Sequence, residues 1–346
     1  MTQALAITAV GMVTGVGLNA PASCAAIRSG INNFQETRFM DQSGEWIMAC
    51  SVPLEQPWRG KTKLIKMAAM SILECLAQAS PAIKTEETPL LLCLPEADRP
   101  GRAIEDDNAF FFELQEELNL QFHPKSRVIA QGRVSVGVAL QHARTLIHGN
   151  VTKQVLIAAT DSLLTAKTLA EFQERDYLLT SANSDGFIPG EASAALMLTP
   201  VYRKTEPQLI CHGLGFGTEP ASIDSEEPLR AEGLTNAIKA ALKEAHCEMH
   251  AIDFRITDVS GKQYYFKEAS LALSKTLRKV KEEFPMWHPA DCIGETGAAI
   301  GLIALIICQI ASIKQYALGK HILCHFSADN SNRTAMVLAW QTTGES

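Results

Sequence analysis

Short apolar runs closed by glycine or proline alternate along this chain with longer stretches of helical spacing. Leu5–Val10 is the first run, a buried-strand pattern that Gly11 ends, with Gly11–Gly17 read as a turn-rich loop. Pro89–Leu94, Arg127–Ala130, Val155–Ala159 and Ala192–Leu198 repeat the strand pattern. Ala20–Ser29, Leu64–Leu76 and Val134–Ile147 carry apolar positions at helical intervals between them. Pro200–Pro207, with Arg203, Lys204 and Glu206, breaks the pattern and marks a boundary, dividing the chain into halves 1–203 and 204–346. The alternation then restarts. Leu209–Leu214, Phe254–Val259, Ile322–Phe326 and Ala335–Trp340 read as strands, and Gly233–Ala245, Phe266–Glu283 and Thr296–Ile313 as helices. Strands that alternate with helices make an α/β protein.

The halves echo one another. Each opens with a strand running into glycines, and each leads through glycine into a very apolar helix. The leads are Gln131-Gly132-Arg133-Val134-Ser135-Val136-Gly137 and Gly294-Glu295-Thr296-Gly297-Ala298-Ala299. A duplicated α/β unit, with these two helices packed between two sheets, accounts for their apolarity. The longest apolar stretch, Gly297–Ile313, falls short of the roughly 20 residues of a membrane span and reads as a helix buried on all sides.

Composition narrows the function classes. The 346 residues are 47% hydrophobic and 20% charged, which excludes wholesale disorder. A net charge of −7 gives no global footprint for nucleic acid or an anionic membrane. Nine scattered cysteines form no CxxC pair, which points to a reducing compartment without a disulfide framework or zinc site. Nine histidines (His123, His142, His148, His212, His246, His250, His288, His321 and His325) show no metal spacing. His288, seven residues before Glu295, is the nearest to a paired ligand and reads as a surface or loop residue. The N-terminus lacks the basic n-region of a secretory signal, and no cofactor or metal site is expected.

Three segments resemble β-ketoacyl-[acyl-carrier-protein] synthases. Gly11-Met12-Val13-Thr14-Gly15-Val16-Gly17 with Ala26-Ile27-Arg28-Ser29-Gly30 looks like their opening, and Asp185-Gly186-Phe187-Ile188-Pro189-Gly190-Glu191 like their loop before a central strand. Gly294 through Gly301 is similar to their second glycine-rich segment. The resemblance implies the thiolase fold, with two related halves in five αβαβα layers. It also implies a cytoplasmic homodimer, or a heterodimer with a catalytic ketosynthase, in which the strand near Arg127–Ala130 pairs across the interface.

Condensation needs a cysteine thiolate at a helix start, two imidazoles for the developing charge, and an oxyanion hole. The family's nucleophile position falls on Gln131 or Gly132, and its histidine positions on Ser260 and Glu295. None supplies the required chemistry. A carboxylate at 295 opposes an enolate; its bland role is to complement a helix dipole, worth roughly 0.3–1 kcal/mol. Ser260 reads blandly as a helix cap. Ser135, one turn on, is the fallback nucleophile, but no base stands beside it in sequence, and a small residue packing a buried helix is the plainer account. The lysine that such enzymes often carry near the second histidine would be Ala290, and their glycine-rich C-terminal loop reads Ala328-Asp329-Asn330-Ser331-Asn332.

Three readings follow. The first is a ketosynthase-like pseudoenzyme acting as a structural, adaptor or partner-binding subunit. It is similar to chain-length factors, which often replace the cysteine by glutamine, or to the ketosynthase-like proteins found among type VI secretion genes. The second is a residual enzyme: an acyltransferase, a malonyl decarboxylase of the kind a cysteine-to-glutamine change leaves in synthases that keep their histidines, or a hydrolase using Glu295 with Ser135 or Ser260. The third is docking of an acidic acyl carrier protein on Arg59, Lys61, Lys63 and Lys66, against which stands an ordinary solvated helix start.

Overall fold

Each glycine- or proline-bounded apolar run forms a strand, and the strands order themselves twice in the same way. A computed structural model describes residues 3–79, 83–201 and 207–341. The first half comprises β1 (Leu5–Thr14), α1 (Ala20–Arg28), β2 (Phe34–Met40), β3 (Trp46–Cys50), α2 (Gly60–Gln78), β4 (Leu90–Leu94) and α3 (Asp107–Leu118). It continues through β5 (Arg127–Ala130), α4 (Ser135–His148), β6 (Val155–Ser162), α5 (Ala166–Glu174) and β7 (Glu191–Pro200). The second comprises β8 (Gln208–Thr218), α6 (Glu232–Glu244), β9 (Phe254–Thr257), α7 (Gln263–Thr276) and β10 (Met286–Trp287). It closes with α8 (Ala290–Ile293), α9 (Ile300–Ile313), β11 (His321–Ser327) and β12 (Asn332–Gln341).

The first half orders its strands β5-β4-β6-β7-β1 and the second β10-β9-β11-β12-β8. In both, the outer pairs are parallel and the inner pairs antiparallel. Leu5–Ile7 of β1 pairs with Leu209–Cys211 of β8, so the two five-stranded sets are joined along their adjacent edges. α4 and α9, each 14 residues, touch each other and strands of both halves, forming the middle layer. α2 and α3 cover the outer face of the first sheet; α6 covers that of the second, with α7 beside it placing Ala272 in one cluster with Leu323 and Glu268 on Arg333. The result is the five-layer α/β arrangement. Gly213, Gly215 and Gly217 let α6 lie directly on β8, since a Cβ at each would fall 2.0 Å from an α6 backbone carbonyl oxygen.

The middle layer explains the apolar helix. Of α9, only Ile310 and Ile313 escape full burial, and its mates include Phe254, Phe326 and Leu338 from the second sheet and Leu196 from the first. Among the described residues no helix is long and apolar enough to cross a membrane. All nine cysteines are free thiols.

Several expectations need correction. Gly11–Gly17 is not all loop: β1 continues to Thr14, and the turn is confined to Thr14–Gly17. The long helix expected over Phe266–Glu283 starts earlier and stops at Thr276, because the charged run beyond it offers no apolar face and Val280 is fully exposed. The helices α3 and α5 and the hairpin of β2 and β3 were not anticipated. Asp106 and Thr165 cap the two helices by accepting backbone N–H bonds. The 203/204 boundary lies outside the described residues.

Candidate functional site

The turns that lead into α4 and α9 have one backbone shape. Gln131 (φ −126°, ψ 19°) matches Thr296 (φ −114°, ψ 17°), and Gly132 (φ 55°) matches Gly297 (φ 52°). A short 3-10 turn then opens each helix, at Ser135 and Ile300. Both glycines face a carboxylate. A Cβ on Gly132 would sit 1.7 Å from Glu96 Oε1, and one on Gly297 2.0 Å from Asp161 Oδ2. The left-handed φ and the close carboxylates together require glycine at both heads.

Behind these turns lies a closed charge cluster centred on Arg133. Its guanidinium donates to the Tyr265 hydroxyl at 2.8 Å and to Asp329, and stands 3.6 Å from Glu295 and 3.7 Å from Asp258. It also lies 4.6 Å from the Tyr265 ring centroid. Arg99 is bidentate on Asp161 at 2.9 and 2.5 Å and is 3.7 Å from Glu96. Asp161 also accepts the Ala298 N–H at 2.8 Å, tying Arg99 to the head of α9. Burial raises the carboxyl pKa of Glu96, Asp258 and Glu295, with Arg99 pulling the first down and Arg133 the other two. An apolar cover of Leu163, Phe172, Tyr177, Phe187 and Ile223 leaves a cavity of about 30 Å³. At roughly 10–15 Å³ per water, that is room for about two waters.

Glu295 accepts from the Ser260 hydroxyl at 2.7 Å and from the Gly297 N–H at 3.0 Å. Its own backbone is clamped by the Asp185–Glu191 loop, through Glu295 N–H to Ile188 O and Gly190 N–H to Glu295 O, both 2.8 Å. Glu191, at the loop's end, accepts from Val52 N–H, Ser51, Ser162 and Lys63. Ser260 and Glu295 therefore meet, and Gly132 approaches the same cluster through Glu96.

Gln131 is turned elsewhere, lining a different cavity with Phe216, Thr218 and Arg333. Ser135 is fully buried; its hydroxyl donates to Ile129 O at 3.1 Å and accepts from Gln131 N–H at 3.0 Å. That proton is committed to a backbone carbonyl, so the fallback nucleophile closes the β5–α4 turn instead. The four cations do not form a free basic face. Lys61 pairs with Glu113 and Lys66 with Glu117 of α3, each at 2.7 Å, while Lys63 is held by Glu191. Arg59 makes no ion pair among the described residues.

Glu96, Arg99, Arg133, Asp161, Asp258, Tyr265 and Asp329 were not singled out from the sequence, although Arg133 stood between a glycine and an apolar helix. Among the described residues no group of three His, Cys, Asp or Glu side chains is placed to hold a metal.

The folded chain superimposes on solved ketosynthases over nearly its whole length. A chain from a complex of a type II polyketide acyl-carrier protein with its hexaketide-bound ketosynthase matches with TM-score 0.81, 14% identity, and coverage of 98% of this chain and 100% of that one. A chain of the Xenorhabdus doucetiae ketosynthase–chain length factor complex matches with TM-score 0.72 and 15% identity over 98% of each chain. A β-ketoacyl synthase from Burkholderia phymatum matches with TM-score 0.73 and 16% identity over 98% of this chain and 99% of that one. The fold is that of the thiolase-like β-ketoacyl synthases. In sequence, a putative polyketide β-ketoacyl synthase of Streptomyces cyaneus is 28% identical over 138 residues, which span 39% of this chain and 32% of that relative. No family model matches the chain.

Proposed function

We propose that this ketosynthase-like chain does not condense acyl groups and serves as a structural or partner-binding subunit, in the manner of a chain length factor. The observation that carries this is the filled site. The Glu96 carboxylate stands where a side chain at Gly132 would begin, and the Arg133 cluster leaves about 30 Å³ where an acyl chain and malonyl unit would need hundreds. Neither Ser260 nor Glu295 can bear the positive charge that an imidazole brings to an enolate. Two of the solved neighbours are ketosynthase–chain length factor complexes, which supports a heterodimer with a catalytic ketosynthase as the assembly to look for.

The test is intact-protein mass spectrometry after incubation with malonyl- and acyl-loaded carrier proteins, following carbon dioxide release in parallel. No adduct and no release are expected. Co-expression with a candidate ketosynthase, read by native mass spectrometry, should give a mixed dimer, whereas a homodimer under all conditions counts against the partner role.

A second reading has its own observation. The Ser260 hydroxyl donates to Glu295 at 2.7 Å, and burial raises the Glu295 pKa towards that of a useful base. Such a dyad would act as a residual hydrolase or acyltransferase. A fluorophosphonate probe that labels Ser260 would establish it, and an unlabelled chain would leave the non-catalytic reading in place.

A further inference from the structure

A second cavity, about 520 Å³, lies between α1, β9, β10, α8 and α9 and shares no lining residue with the Arg133 cluster. Its floor is buried and apolar: Cys24, Ile256, Cys292 and Ile307. Half-buried Trp287 and Tyr316 form an aromatic wall, with ring centroids 6.4 Å apart, and Ile27 stands at the mouth. The volume and the mostly apolar lining are those of a small-molecule site rather than a packing defect.

The mouth carries an unpaired cation. Arg28 ends α1, is exposed, and holds its guanidinium 4.3 Å from the Tyr316 ring centroid. It forms no ion pair among the described residues. Asp291 also lines the cavity; its carboxylate is exposed, lies 2.9 Å from His288 Nδ1, and forms no ion pair with Arg28 among the described residues. On a chain of net charge −7, an arginine fixed over an aromatic face at the rim of an apolar cavity is an anion receptor with a hydrophobic pocket behind it.

We propose that this cavity binds an amphipathic organic anion, with its apolar body against Trp287, Ile256 and Ile307 and its carboxylate or sulfonate on Arg28. The inference does not depend on the function proposed above.

Two fluorescent probes with one body separate the contributions: 1-anilinonaphthalene-8-sulfonate, and N-phenyl-1-naphthylamine, which lacks the sulfonate. Titration of the full chain should give one saturable sulfonate site, at least about tenfold tighter than the neutral probe, as one charge-assisted hydrogen bond requires. Arg28→Gln should remove that preference and leave neutral binding unchanged. Ile27→Trp, filling the mouth from a half-buried position, should abolish both. Cooperative melting of each variant excludes binding by a loosened fold. No saturable binding at millimolar probe, equal affinity for the two probes, or affinities unchanged in both variants would overturn the proposal.

Discussion

Gly132 and Glu96 occupy one place: the carboxylate of Glu96 stands where a side chain at position 132 would begin, 1.7 Å from the Cβ that glycine lacks. Restoring a cysteine there therefore meets two obstacles, the left-handed φ of 55° and the carboxylate itself. Gly132→Cys should cost roughly 1 kcal/mol for the backbone and about 1–3 kcal/mol for overpacking. Glu96→Ala in the same chain should return the second part. Urea denaturation of the two single variants and the double variant gives the coupling, expected at about 1–2 kcal/mol. Additive effects would mean that the two positions do not collide. The double variant should still not condense, since no imidazole returns with the thiol.

Arg133 is the common partner of Asp258, Glu295 and Asp329. Arg133→Met keeps much of the side-chain volume and leaves those carboxylates unpaired. Breaking a buried pair costs about 3–5 kcal/mol, so a loss of that size is expected at pH 8. It should shrink towards pH 5, where the buried Asp258 and Glu295 carboxyls take up protons and no longer need a cation. Chemical denaturation at the two pH values checks both parts. A loss that is independent of pH would show that Arg133 acts by packing alone.

The fold was legible because burial leaves a strong signature. β4 is apolar and buried from Leu90 to Leu94, as its run predicts, and the paired glycine turns before α4 and α9 announced the duplication that the strand order displays. Resemblance located Ser260 and Glu295, and the structure brings them within hydrogen-bond distance. The charge cluster was not legible. Arg99, Arg133, Asp258 and Asp329 are far apart in sequence, and a lone charge beside an apolar segment looks the same whether solvated or buried. The same holds for Lys63, whose run of cations suggested an exposed patch although Glu191 buries its ammonium. The α3 helix was missed because Phe110, Phe111 and Phe112 fall together and blur its period, and only Phe110 is fully buried.

Burial holds the Glu295 carboxyl above its ordinary pKa, against the lowering pull of Arg133, the Ser260 hydroxyl and the Gly297 N–H. A carboxyl raised in this way binds its proton more tightly folded than unfolded. Its contribution is full below the ordinary carboxylate pKa and is lost as pH rises through the folded value, at about 1.4 kcal/mol per unit of separation. The part of wild-type stability owed to Glu295 should fall across that window, opposing the gain that His325 brings over the same range. Glu295→Gln has no proton to lose, so it should flatten part of the fall and match or exceed wild type at pH 8. The flattening is partial because Glu96 and Asp258 are raised by burial too. Melting temperatures from pH 4 to pH 8 decide it, and a variant less stable than wild type at pH 8 alone would show that the ionised carboxylate is needed.

His325 sets the acid limit. It is fully buried in β11, with its Nδ1 3.3 Å from the Thr257 hydroxyl, and burial followed by the Arg255 charge lowers its pKa to about 3. The unfolded chain protonates this imidazole near its ordinary pKa while the folded chain refuses the proton. Stability from this residue is therefore present above the ordinary value of 6.5 and drains away as pH falls towards about 3. Over that span one histidine accounts for roughly 4–5 kcal/mol, enough to dominate acid unfolding of a domain stable by about 5–15 kcal/mol. His325→Gln should be less stable at pH 7, through altered packing beside Thr257, yet lose less on acidification to pH 4. Urea midpoints at the two pH values measure this directly. Equal losses in the two chains would move the acid-sensitive step to another group.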